Sequence, residues 1–458
     1  MAGPSLLVHG GTVLTMDDVG SVQSPGYVMV RGERIAAVEA GDPPLELLLG
    51  ATRVIDARGQ IVLPGLINAH THLYQTFLKG RDDTLSLVDW CEEVLFPSAD
   101  VLHTMHWDED DESAGYSYAL LGALEMIRGG ITCALDMDIV MDSVFEAWQE
   151  IGLRGIGALT LSDQWLPQRL RRDENLLRQE TVARVRRWHG TPVDSPLTHV
   201  VLAPSTPFLA SRQLLEWTLD QARELGLGVQ MHVAETRWEV QTIEKETGQR
   251  PVAYLDSLGL LNDAFSAVHC VHVTADEIET LRERDVTVVH SPKSNLKLGS
   301  GIAPVQDMLS ADIPVALGTD GAASNDLLDM FEEMRFAALL PKGIAEDPRV
   351  ISAPQALRMA TVNGARAFGI EAGVLAPGFL ADLITVSVDR PHNAPALDPY
   401  CALVYCARAD DVQNVVINGR MVMQGRMILT VSEEDVLAEA ISMAKMVHRR
   451  SLDSELRR

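Results

Sequence analysis

The amino-acid sequence predicts an α/β protein, a distorted (β/α)8 TIM barrel joined to a composite β-sandwich built from both ends of the chain. Three observations carry this expectation. Between residues 61 and 375, eight short apolar runs alternate with longer helix-like segments, the texture of a closed parallel barrel. Residues 1–60 and 376–430 are instead rich in β-branched residues and turn signals, and neither end can bury a sheet alone. Finally, histidines and carboxylates stand at the ends of four of the eight runs, on the side where a parallel barrel carries its chemistry.

Taken in order, residues 6–14 and 27–38 read as strands of the terminal unit. The run 61–67, interrupted by Pro64-Gly65, reads as the first barrel strand,. The runs 131–135, 155–159, 199–203, 228–231, 266–268, 286–289 and 313–317 follow. Amphipathic segments such as 212–225 and 276–284 supply the intervening helices,. The β texture returns at 381–388 and 412–419, and 433–448, within the closing segment 431–458, has a helical pattern. The acidic run 108–112 reads as a solvated helix start, with His103 and His106 beside it as surface residues rather than ligands.

Composition excludes several classes of function. The chain has 458 residues, with 64 acidic against 38 basic side chains and a net charge of −26. That balance argues against nucleic acid, whose phosphates need clustered Lys and Arg. Solubility explains the acidity. No apolar run is long enough to span a bilayer, so no membrane partner is expected. The N-terminus lacks a basic segment and a long apolar stretch, so no signal peptide is expected,. Five cysteines without CxxC spacing fit reduced thiols in the cytoplasm,. The expected partner is a small molecule, and a homo-oligomer is compatible with the composition.

The chemistry concentrates at the strand ends. Residues i and i+2 of an extended chain point to one side, so His70 and His72 can converge on one point. The fifth run ends in Met231-His232-Val233-Ala234-Glu235, the sixth in Val268-His269-Cys270 and the eighth in Leu317-Gly318-Thr319-Asp320-Gly321. Histidine and carboxylate suit a divalent metal. No lysine follows the fourth run, Ala203-Pro204-Ser205-Thr206-Pro207, so no carbamylated bridging lysine is available and one metal is favoured over two.

The motifs Gly65-Leu66-Ile67-Asn68-Ala69-His70-Thr71-His72, His232-Val233-Ala234-Glu235-Thr236, His290-Ser291-Pro292-Lys293-Ser294-Asn295 and Gly318-Thr319-Asp320-Gly321-Ala322-Ala323-Ser324-Asn325 resemble those of the amidohydrolase superfamily. Within it, the chain is similar to aminohydrolases related to methylthioadenosine/S-adenosylhomocysteine deaminase. The segment from His72 to Gln75 resembles the 8-oxoguanine deaminase and triazine hydrolase branches. The resemblance implies that His70, His72, His232 and Asp320 hold one divalent ion, Zn2+ in the first instance with Fe2+ as the alternative. His269 would stand near the bound water. Such an ion lowers the pKa of its water toward ~7. Asp320 can then take the water's proton, Glu235 can serve as proton shuttle, and His269 can steady the tetrahedral intermediate. The expected reaction is hydrolytic deamination of an amino-substituted N-heterocycle. Alternatives are another displacement on such a ring, for example s-triazine dechlorination or dealkylamination, or a non-catalytic binding barrel.

Substrate contacts are expected from Gln75 with Tyr74, and from Ser205 and Arg171. Trp90, Phe96 and Trp165 offer stacking surfaces, with core packing as their plainer role. Ser324 and Asn325 are expected to brace the Asp320 loop. His290 closes the seventh run, facing either the barrel mouth or a hydrogen-bonding layer behind it. His9, His189, His272, His392 and His448 read as surface or packing residues. By the same resemblance, Ala99 stands where a ribose-binding glutamate is usual, Ser205 replaces a histidine, and Leu159 an arginine. A methyl group cannot accept the hydroxyl hydrogen bonds that a carboxylate can. The expected substrate is therefore a different amino-heterocycle, with methylthioadenosine and S-adenosylhomocysteine handled poorly.

Overall fold

A computed structural model describes residues 5–109, 111–189 and 197–455. Eight parallel strands form the barrel: Leu66–His72, Ile131–Asp138, Arg154–Leu161, Thr198–Pro204, Val229–Val233, Phe265–His269, Thr287–His290 and Val315–Leu317. Each pairs with its neighbour in sequence order. Just past the eighth, the two-residue strand Asp320–Gly321 pairs with the first through Asp320↔Thr71 and Gly321↔His72, which closes the ring. The second strand is buried at all eight positions, as expected of a parallel sheet covered on both faces.

The first strand departs from the sequence expectation. Residues 61–67 are not one strand: Gln60–Pro64 belongs to the terminal sheet and Leu66–His72 to the barrel. The switch falls at Gly65, whose amide donates to Asp382 O at 3.0 Å while the next amide, of Leu66, donates to Gly130 O at 3.0 Å. A Cβ on Gly65 would stand 2.0 Å from Thr132 Oγ1, so only glycine lets the chain pass between the two sheets. In consequence His70 and His72 lie within the barrel strand rather than beyond it.

The remaining strands form one connected nine-stranded sheet from both chain ends. Its join is Gln60–Pro64 against Leu383–Ser387, antiparallel from Leu383↔Pro64 to Ser387↔Gln60. Alternation divides its side chains: Ile61 and Leu63 pack into the large barrel core, Val62 into a separate small core with Val8, Val28 and Val416,. Arg154 at the start of the third barrel strand reaches this sheet through Asp382, Nε to Oδ2 at 2.7 Å, with both side chains buried.

The closing helix, Glu433–Glu455, packs on helices Phe96–His103 and Ser113–Arg128. Arg128 and Glu433 pair at 2.7 Å where it begins. His106 is not the surface residue expected. It is buried edge-on against Trp107, ring centroids 4.3 Å apart, and burial pushes its pKa down to about 4. Within the acidic run, Asp110 lies outside the described residues, as do residues 1–4 and 456–458. Among the described residues no helix is long and apolar enough to cross a membrane.

Candidate metal centre and active site

Four side chains from two barrel strands and the closing segment meet at one point. His70 and His72 end the first strand, His232 lies near the end of the fifth, and Asp320 follows the eighth. His232 Nε2 lies 3.2 Å from His70 Nε2 and 3.3 Å from His72 Nε2. Asp320 Oδ1 lies 3.6 Å from His70 Nε2 and 3.4 Å from His72 Nε2. The close approach of the first and eighth strands depends on Gly318, where a Cβ would sit 2.8 Å from both the Cβ and the carbonyl oxygen of His70.

The far side of each ring settles its tautomer. Nδ1 of His72 lies 2.7 Å from Met137 O and Nδ1 of His232 lies 2.7 Å from Ser205 O. Carbonyls only accept, so both Nδ1 atoms carry protons. His70 Nδ1 faces Gln230 Oε1 at 2.7 Å, and the Gln230 amide NH2 is committed to Ala69 O at 3.0 Å. Neutral rings protonated at Nδ1 leave three bare Nε2 lone pairs facing one another, so the 3.2 and 3.3 Å contacts are not hydrogen bonds. Burial, with the neighbouring His70 ring, pushes His72 down to about 4 and His232 well below its ordinary value, which keeps both neutral. Burial opposes ionisation of Asp320, while the Gly321 amide, which donates to Oδ1 at 2.7 Å, and the Ser294 hydroxyl, which donates to Oδ2, favour its carboxylate form,. Three nitrogen lone pairs and a carboxylate oxygen are a divalent-metal donor set. Tetrahedral ligands ~2.0–2.2 Å from an ion stand about 3.3–3.6 Å apart, and the spacing here agrees.

Glu235 stands beside this cluster. Its Oε1 accepts from Ser300 Oγ at 2.9 Å, and its Oε2 lies 3.6 Å from His269 Nε2. The Glu239 carboxylate receives the amides of Ala234 and Glu235, each at 2.8 Å, and so fixes the turn that carries Glu235. Burial raises the Glu235 pKa, opposed by the adjacent His269. The His269 ring stacks on His232 with centroids 5.3 Å apart, and its Nδ1 is buried with no partner among the described residues. Ala234, His269 and Asp320 have φ of 51°, 72° and 60°. Left-handed backbone at non-glycine residues costs of order 1–3 kcal/mol each, and here it clusters at the strand ends bearing the polar groups.

A cavity of about 90 Å3 opens over the cluster, lined by His72, Gln75, Ser205, His232, Glu235, His269 and Asp320. Gln75 is buried there, and its Oε1 has no partner among the described residues. Trp90, Phe96 and Trp165 do more than pack: all three line the cavity, with Tyr74. Phe96, Trp165, Phe208 and Trp238 form an edge-to-face and tilted series with centroids 5.0–5.5 Å apart.

Arg171, expected among the substrate contacts, is not there. Its side chain is exposed and its Nε donates to Leu166 O at 2.8 Å, tying off its own loop. His290 is buried but does not line the cavity, and burial pushes its pKa down to about 3. Asn325 donates to Thr319 O and, at 2.7 Å, to Glu333 Oε1, while Ser324 Oγ donates to Gly321 O at 3.1 Å. Both brace the Asp320 loop as expected. The sequence reading missed Gln230, Ser294 (whose hydroxyl donates to Asp320 Oδ2), Ser300 and Phe208. Gln230 carried a signal, a polar residue inside an otherwise apolar strand. His272, read as a surface or packing residue, holds the Ser300 loop through Nε2 to Ser300 O at 2.8 Å.

The sequence profile of the amidohydrolase family matches residues 61–422. The chain belongs to the amidohydrolase family. A 5-methylthioadenosine/S-adenosylhomocysteine deaminase of Moorella thermoacetica is 41% identical over 450 residues, 97% of this chain and 99% of the relative. A 5'-deoxyadenosine deaminase of Methanothermobacter thermautotrophicus is 39% identical over 446 residues, 96% and 98% of the two chains. Among solved structures of amidohydrolase-like proteins, a zinc-bound adenosine deaminase from Xanthomonas campestris superposes with a TM-score of 0.90 at 30% identity, covering 98% of this chain and 99% of the other. A zinc complex of atrazine chlorohydrolase from Arthrobacter aurescens gives 0.88 at 25% identity, covering 96% and 100%.

Proposed function

We propose that this amidohydrolase is a metal-dependent hydrolytic deaminase. It converts an amino-substituted N-heterocycle and water to the oxo heterocycle and ammonia. The observation that carries this reading is the meeting of three unprotonated Nε2 atoms and the Asp320 carboxylate beside a buried, hydrogen-bonded Glu235. The named deaminases among the relatives support the same reaction class.

His70, His72, His232 and Asp320 would hold the ion, Zn2+ by its donor set, with Fe2+ the alternative. Bound there, the ion supplies Lewis acidity and a water acidified to neutral pH. The chain's own groups do the rest. Asp320, kept ionised, accepts a proton from the attacking water. Glu235, starting as the acid, protonates the ring nitrogen next to the attacked carbon, passes the added hydroxyl's proton to the departing amine, and is recharged by the proton held on Asp320. The raised pKa of Glu235 suits a group that must both take and give a proton near neutrality. His269 hydrogen-bonds the incoming oxygen as its charge changes. Gln75, whose buried carbonyl oxygen has no partner among the described residues, accepts a ring N–H or amine proton, and the aromatic wall excludes water from the ring.

The test is ammonia release from a panel of aminopurines, nucleosides, pterins, pyrimidines and triazines, using protein whose metal has been identified by elemental analysis. Ammonia from at least one ring is expected. Metal-loaded protein that frees none overturns the reading, and chloride or alkylamine in its place moves it to another displacement on the ring.

A further inference from the structure

The catalytic cavity does not end at the aromatic wall. A second cavity of about 150 Å3 adjoins it, and the two share Tyr74, Leu95, Phe96, Thr160, Ser205 and Leu209. The helix Phe96–His103 turns Phe96, Ala99 and His103 to this side chamber, the i, i+3, i+7 spacing of one helical face. The loop after the third barrel strand closes it with Leu166 and Leu170, and Trp107 forms an end wall. Arg172 also lines it, but its guanidinium lies 3.8 Å from the Trp107 ring centroid and pairs with Glu180, so that charge is already engaged.

The chamber's chemistry restricts what can occupy it. None of its lining residues is a carboxylate, so a vicinal diol would find single acceptors such as the Ser162 hydroxyl but no pair of charged oxygens to receive both its protons. Apolar cavities of about 150 Å3 accept a benzene ring. At the junction of the two chambers, Thr160 Oγ1 is buried with no partner among the described residues. Such a hydroxyl can serve a heteroatom of a group passing from one chamber to the other.

We infer that the substrate is bipartite: the amino-heterocycle reacts over the histidine cluster while an apolar substituent of up to benzene's size fills the chamber beside Ala99. The inference rests on the deaminase reading for its first half only. An aromatic or branched aliphatic group suits the Leu95, Phe96, Leu166 and Leu170 side of the chamber, whereas a ribose meets no carboxylate to bind its two hydroxyls.

Two measurements test it. Fluorobenzene, titrated into the metal-loaded protein by fluorine NMR, is expected to bind. Its affinity should fall about tenfold or more in Ala99→Phe and in the loop variant Leu170→Trp, both of which fill the chamber. Absence of binding to wild type, or binding unchanged in both variants, overturns the inference. Then the ring that frees ammonia fastest is compared in unsubstituted, N-benzyl and N-ribosyl forms. The benzyl form should lead the ribosyl form in kcat/KM by about tenfold or more. Ala99→Phe should erase that lead and leave the unsubstituted ring within about threefold of wild type. A ribosyl form that matches or exceeds the benzyl form overturns the inference even where ammonia is released. Fluorobenzene binding that tracks the variants, with no ammonia from any ring, supports the chamber and overturns the deaminase reading instead.

Discussion

The Ser300 hydroxyl donates to Glu235 Oε1 at 2.9 Å, joining the loop that follows the seventh barrel strand to the acid that follows the fifth. A hydrogen bond to a charged group is worth ~1.5–3 kcal/mol. It favours the carboxylate form, and its loss raises further a pKa that burial has already raised,. Ser300→Ala should therefore lower kcat/KM about tenfold and move the basic limb of its pH profile to higher pH, because Glu235 starts the reaction as the protonated acid. Metal content should stay at the wild-type level. An unmoved limb would remove Ser300 from this role.

Catalysis and metal binding separate at neighbouring residues. Glu235→Gln keeps the shape of the side chain and should retain the ion while turnover falls by about 10²-fold or more. His232→Ala removes a donor from the centre and should lose ion and activity together. Elemental analysis alongside an ammonia assay reads both. Activity retained by metal-free protein would defeat the proposed mechanism.

Glu333 links the site to stability. It is buried, accepts from Asn325 Nδ2 at 2.7 Å, and burial pushes its pKa up to about 8 from the ordinary 4.5. Between those values the folded chain holds a proton that the unfolded chain has released, so this group's contribution to stability falls as pH rises through the window. Glu239, also raised to about 8 by burial, acts with the same sign. Glu333→Gln should make the decline in melting temperature between about pH 5 and about pH 8 shallower than in wild type. An equal or steeper decline counts against the assignment.

The Arg154–Asp382 pair is 2% exposed on both sides. Arg154→Leu leaves Asp382 buried without its counter-charge and should cost ~3–5 kcal/mol. Adding Asp382→Leu should recover part of that loss, although the amide of Asn418, which donates to Asp382 Oδ1 at 2.6 Å, goes unpaired. Denaturant titrations of the two variants against wild type check this.

The metal cluster was legible because its geometry is local. A period of two puts His70 and His72 on one side, and a parallel barrel delivers its strand ends to one mouth. Glu235 followed from its place three residues after a ligand. What escaped the sequence depends on contacts between distant segments. The passage at Gly65 is set by Thr132 and by the partners of two successive amides. Arg171 and Arg172 differ by one position in a loop without periodicity, yet Arg171 is tied to Leu166 O while Arg172 lines the side chamber. The aromatic wall gathers Phe96, Trp165 and Phe208 from three separate segments, and Phe96 and Trp165 each read alone as packing.

Arg154 and Asp382 are 228 residues apart in the chain. During synthesis the third barrel strand leaves the ribosome with a guanidinium whose counter-charge has yet to be translated. Sealing that strand into the barrel before Asp382 arrives would bury an uncompensated cation, at a penalty of several kcal/mol. Barrel closure is thereby tied to the emergence of the C-terminal strands, and nascent chains halted short of residue 382 should remain open to protease even with all eight barrel strands already made.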